Sequence, residues 1–145
     1  MKARIIRRNK MAYILIVDDD EDFAETTATV IRNEGHDVHI ELDTESAAQS
    51  MQNKTPDLVV LDVMFPEDAS AGFELARFMR HDNETLKMVP ILLLTAINAR
   101  FPLGFGPNDI DGEWMPVTEF LEKPVDFDVL KDKVAKLLGK GNATD

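Results

Sequence analysis

Cysteine is absent from the 145 residues, which removes disulfides and thiolate metal centres from consideration. Long apolar runs are missing too: none approaches the ~20 residues that a membrane-spanning helix needs. Bases are scarce, 16 against 27 acids, for a net charge of -11. That excess disfavours direct DNA or RNA binding, because phosphate backbones attract basic surfaces. Hydrophobic residues at 44% and charged ones at 30% give the balance of a globular chain. The length suits one domain with a single sizeable core.

The few bases are unevenly placed. Lys2, Arg4, Arg7, Arg8 and Lys10 precede Met11 with no acid among them. Residues 1–11 read as a basic, solvated leader, and the alternative is an arm that touches an acidic partner. A signal peptide does not fit, since the apolar run Ala12 to Val17 stops at Asp18-Asp19-Asp20-Glu21 with no small-residue cleavage site. A cytoplasmic location is the expectation.

What is present is an alternation of short apolar runs with stretches of helical period. Ile14 to Val17, Leu58 to Leu61 and Ile91 to Leu94 are unbroken runs of Ile, Leu and Val, as in parallel strands buried on both faces. Val38, Ile40 and Leu42 alternate with His39 and Glu41, as in a strand near an edge. Phe120 and Leu121 mark a short fifth strand. Phe23, Thr27, Val30 and Ile31 share one helical face, ended by Gly35. Further helices are expected from Thr44 to Lys54, closed by Pro56, and from Ala71 to His81. A last helix begins at the cap Asp126 and carries Phe127, Leu130, Val134, Leu137 and Leu138. The segment Ala96 to Thr118 holds three prolines, three glycines and the only tryptophan, Trp114, so its helix is expected to be short or irregular. The order implies an open parallel sheet with helices on both faces, spanning residues 12–139, and a tail at 140–145.

Ligands of such sheets sit beyond the carboxyl ends of the strands. Those ends carry Asp18 and Asp19, Asp62, Thr95 and Lys123. Two carboxylates ~4 Å apart repel by about 4 kcal/mol at an effective dielectric near 20. Three converging carboxylates therefore call for a cation, and an all-oxygen site suits Mg²⁺. A carboxylate beside that cation can attack phosphorus to give an acyl phosphate, with Lys123 as a fixed countercharge and Thr95 as a hydrogen-bond donor. Each residue alone is commonplace, since a strand-end Asp is more often a cap. Their joint placement is not.

The segments Ile14-Leu-Ile-Val-Asp-Asp-Asp-Glu-Asp-Phe23, Leu58-Val-Val-Leu-Asp62, Leu92-Leu-Leu-Thr-Ala96 and Phe120-Leu-Glu-Lys-Pro124 resemble the receiver domains of two-component response regulators. The resemblance covers about Ala12 to Leu138. It implies a flavodoxin-like (CheY-like) α/β fold, three layers deep, with a five-stranded sheet in the order 2-1-3-4-5. It further implies that Asp62 takes a phosphoryl group from a histidine kinase or histidine phosphotransfer protein. By the same resemblance Asp19, Asp62 and the Met64 carbonyl ligate Mg²⁺, with Asp18 acting through water. Thr95, Lys123 and the Ala96 N–H contact the phosphoryl group, Thr95 and Phe120 form a coupled switch, and the Lys123–Pro124 bond is cis. The protein is then no enzyme beyond its own phosphorylation and slow dephosphorylation, and it signals through another protein as a monomer or weak dimer.

The pattern departs from the family after Asp62, where Phe65 replaces Met and two extra residues precede Gly72. The stretch from Thr95 to Lys123 is longer as well, so an atypical partner surface is expected. Met64 and Ile97, both apolar, flank the route of water to the acyl phosphate, which implies slow self-dephosphorylation. Three rival readings remain distinct. Asp18, Asp20 and Asp22 mimic an EF-hand loop, but Phe23 and Thr29 stand where Gly and Glu are required. Asp18-x-Asp20 matches the start of a haloacid dehalogenase-type phosphohydrolase, although Asp22 breaks that pattern. A phosphorylation-independent binding scaffold is the third. His36, His39 and His81 are scattered and read as surface or strand residues.

Overall fold

The computed structural model describes residues 11–62, 71–81, 83–96 and 119–140. The strands are β1 (Tyr13–Val17), β2 (Asp37–Glu41), β3 (Leu58–Asp62), β4 (Ile91–Ala96) and β5 (Glu119–Lys123). The helices described are α1 (Glu21–Arg32), α2 (Thr44–Asn53), α3 (Ala71–His81) and α4 (Phe127–Lys140). All strand pairs are parallel, and the sheet order is β2-β1-β3-β4-β5. This is the flavodoxin-like order expected from the sequence. The expected short helix and both lengthened segments lie outside the described residues.

Alternation along the strands divides the core in two. Leu15 and Val17, Val59 and Leu61, and Ile91 and Leu93 pack with Met51 of α2 and Phe73, Ala76 and Met79 of α3. Ile14 and Ile16, Leu58 and Val60, and Leu92 and Leu94 pack with Ala24, Ala28 and Ile31 of α1 and Leu130, Val134 and Leu137 of α4. Both faces are covered, which is why these strands are apolar at every position. Each such side chain contributes about 1.5–3 kcal/mol on burial. The same parity carries Asp18, two beyond Ile16, and Asp62, two beyond Val60, to the α1 side of the sheet. Leu121 packs on that side too, and Lys123 follows it by two.

The strand boundaries differ from expectation in one place. β2 ends at Glu41, and Leu42 lies beyond it, 41% exposed. The chain has already turned there, because Asp43 accepts the Ser46 N–H at 2.7 Å and caps α2. At the other end of the chain α4 continues past Leu138, so Lys140 of the expected tail is helical. Gly35 follows α1 with φ +98°, a left-handed conformation that favours glycine. A Cβ there would meet nothing within 4 Å, so the cost of a side chain is purely conformational. Gly35→Ala is expected to lower stability by about 1 kcal/mol, read as a lowered urea midpoint with an unchanged m-value. An unchanged midpoint would refute this account of the turn.

Candidate functional site

The backbone just past β1 is tied to the sheet edge, Asp18 N–H donating to the Glu41 carbonyl at 3.0 Å. Asp18 is 1% exposed and Asp62, at the tip of the central strand β3, is 2% exposed. One Asp18 oxygen, Oδ1, accepts the Asp20 N–H at 2.9 Å. The other, Oδ2, is buried without a hydrogen-bond partner among the described residues. Lys123 Nζ stands 3.4 Å from Asp62 Oδ1 and 3.9 Å from Asp18 Oδ2. Its Cα lies in register with that of Ala96 across β4 and β5, and the Lys123–Pro124 bond is cis.

Asp18, Asp19 and Asp62 each bring a carboxylate oxygen within 4.8 Å of the others. Burial is the main cause that raises the Asp18 carboxyl to about 7, with the neighbouring Asp62 charge adding to it. The Asp19 carboxyl is raised for the same two reasons, burial first. Lys123 supplies one positive charge against three carboxylates, so the site has room for a divalent cation. The donor set is all oxygen, which fits Mg²⁺. The orphaned Asp18 Oδ2 is the atom such an ion, or a water on it, would satisfy.

Among the residues expected at the site, the structure brings together Asp18, Asp19, Asp62 and Lys123. Thr95 and Ala96 lie at the end of β4, in register with Glu122 and Lys123; the Thr95 side chain lies outside what is described, as does Met64. Phe120 is half-buried against the cluster formed with α2 and α3. The histidines are apart from the site: His36 Nδ1 accepts the Ala12 N–H at 3.2 Å, His39 contacts Glu41 at 2.7 Å, and His81 ends α3 exposed.

Two residues have roles that the sequence did not disclose. Asp20 is the N-cap of α1, its Oδ1 accepting the Phe23 N–H at 3.1 Å. An Asp-x-Asp phosphohydrolase needs that second carboxylate in its site, and here it serves the helix. Phe23, read as a core residue, also lies beneath the Lys123 ammonium, 4.6 Å from Nζ to the ring centroid. Its position five after Asp18, in the first turn of α1, was the available signal.

Residues 14–135 match the family model of the response regulator receiver domain. The CAI-1 autoinducer sensor kinase/phosphatase CqsS of Vibrio cholerae is 31% identical over 126 residues, 84% of this chain and 17% of that protein. The DNA-binding response regulator MtrA of Mycolicibacterium smegmatis is 40% identical over 83 residues, 57% of this chain and 34% of that protein. The chain thus spans about a third or less of the length of these two curated relatives. The chemotaxis response regulator CheY4 of Vibrio cholerae superposes with a TM-score of 0.74 at 25% identity, covering 88% of this chain and 99% of that one. With a matched segment that runs from β1 into α4, the chain belongs to the receiver domains of two-component response regulators.

Proposed function

We propose that the protein is a phosphorylation-controlled switch whose acceptor is Asp62. The observation that carries this reading is the 3.4 Å approach of Lys123 Nζ to an Asp62 carboxylate that is 2% exposed and flanked by Asp18 and Asp19. A histidine kinase or histidine phosphotransfer protein supplies the phosphoryl group. As the new O–P bond to Asp62 forms, the N–P bond of the partner's phosphohistidine breaks and the imidazole leaves with the electron pair. Asp19, Asp62 and the Met64 carbonyl would hold Mg²⁺, with Asp18 reached through water. When bound, Mg²⁺ neutralises charge on the transferring oxygens. Lys123 donates to the same oxygens, and the Thr95 hydroxyl and Ala96 N–H complete the set. Thr95 and Phe120 then pass the change to a partner protein, with residues 12–139 as the receiver unit, in the cytoplasm. At a net charge of -11 the chain's own surface does not favour DNA.

Incubation with acetyl phosphate and Mg²⁺ tests this directly. One phosphoryl group is expected on the peptide containing Asp62, removed by EDTA during labelling and lost in Asp62→Asn. Labelling of Asp18 instead, or undiminished labelling of the Asn variant, would overturn the assignment. Rapid turnover of a small phosphoester would return the hydrolase reading.

A further inference from the structure

Resting on that reading, we propose that Phe23 is a positioning residue for phosphoryl transfer, its ring face holding the Lys123 ammonium over the acceptor carboxylate. Nothing in the role of Asp62 or of the metal ligands requires an aromatic at this place. The structure nonetheless puts one there by two independent devices. Sheet parity sends Lys123 to the α1 side, behind Leu121. The Asp20 cap takes the N–H of Phe23 itself, which fixes where the first turn of α1 begins and so where the ring lies. The ammonium is then bounded by Asp62 Oδ1 at 3.4 Å, Asp18 Oδ2 at 3.9 Å and the Phe23 centroid at 4.6 Å.

The chemistry explains why a ring is better than a further anion. Asp18, Asp19 and Asp62 already crowd the site with negative charge, and a further carboxylate would oppose the incoming phosphoryl oxygens. A ring face attracts the cation through its quadrupole without adding net charge. It also accepts no strong hydrogen bond, so the N–H donors of Lys123 stay available. Phe23 is only half-buried, at the rim of the core rather than inside it, and a leucine there would keep the apolar contact with the cluster around Ala24. What leucine cannot supply is the quadrupole.

The test is a double-mutant cycle on the full chain, with phosphoramidate as donor and Mg²⁺ present. Phe23→Leu is expected to slow Asp62 phosphorylation about three- to tenfold, and Phe23→Trp to restore it. In a Lys123→Ala background the Phe23→Leu change should have no further effect. Equal slowing in both backgrounds, or a wild-type rate in Phe23→Leu, would remove the proposal. Thermal melts of each variant identify one that has merely lost its fold, and Phe23→Tyr then takes the place of Trp as the rescuing ring. A second readout needs no phosphorylation: the Lys123 ε-methylene protons should resonate upfield in the wild type, under the ring current, and move downfield in Phe23→Leu. Their absence from the upfield region overturns the contact itself. A wild-type chain that takes no phosphoryl group sinks the acceptor assignment instead, and the positioning role with it, while the methylene shift still judges the contact.

Discussion

Lys123→Ala is expected to slow phosphoryl transfer to Asp62 about 10²-fold while tightening Mg²⁺ binding. The two effects have opposite signs because the ammonium does two opposing things. Toward the phosphoryl group it is a preorganised donor, and loss of one such donor from a site of developing charge typically costs about 10²–10³ in rate. Toward a divalent cation it is a like charge, 3.4 Å from Asp62 Oδ1 and 3.9 Å from Asp18 Oδ2. Its side chain is 23% exposed, so solvent screens part of that repulsion. A gain of about tenfold in Mg²⁺ affinity is the scale left after screening. Titration of Mg²⁺ by calorimetry and single-turnover labelling from acetyl phosphate measure the two separately. If the variant labelled at the wild-type rate, Lys123 would be a structural partner of the carboxylates and no part of transfer chemistry. If affinity fell along with the rate, the variant would have lost the geometry of the cluster.

The parts of this site that were legible in the sequence are those whose position follows from apolar runs. A strand covered on both faces must stay apolar until it emerges, so the first acid after Leu58–Leu61 marks the sheet's edge, and Asp62 is there. The same reasoning located Asp18 after Ile14–Val17, whereas Lys123 follows Glu122 in a half-buried strand and was found through the family resemblance. Period also placed α3 at Ala71–His81, because Phe73, Ala76 and Met79 recur at helical spacing against one cluster. Residues at the joints were harder to read. Helical period assigns one face to each side chain, yet Phe23 sits in the first turn of α1 and borders both the core and Lys123. In the run Asp18-Asp19-Asp20 nothing local separates the carboxylates that meet Asp62 from the one that caps the helix; that choice is made by the turn between β1 and α1. Leu42 likewise continued the β2 alternation in sequence, while the Asp43 cap ended the strand in space. The proline- and glycine-rich segment after Ala96 carries no period at all, so sequence offered no register there.

Asp18→Asn should stabilise the metal-free domain at pH 8 and leave it little changed at pH 4. The Asp18 carboxyl is raised from 3.8 to about 7, by burial first and by Asp62 second. A folded-state value above the unfolded one means that the native chain holds a proton which the unfolded chain has already released. Below about pH 4 both states are protonated and Asp18 carries no penalty. Between 4 and 7 the folded state binds more protons, so stability falls as pH rises, and above 7 the loss is complete. Three pH units set a ceiling of about 4 kcal/mol. Relaxation of the site and water penetration around the charge reduce this ceiling to about 1–2 kcal/mol, or roughly 3–8 °C in Tm. Mg²⁺ acts on the same group with the opposite sign. At a hundredfold excess over Kd it would return about 2.7 kcal/mol to the wild type, but far less to the Asn variant, whose amide lacks the charge. Melting curves in EDTA and in Mg²⁺ at the two pH values resolve these terms. A metal-free wild type whose Tm did not fall from pH 5 to 8, beside an Asn variant no more stable, would show that Asp18 carries no buried charge to be relieved.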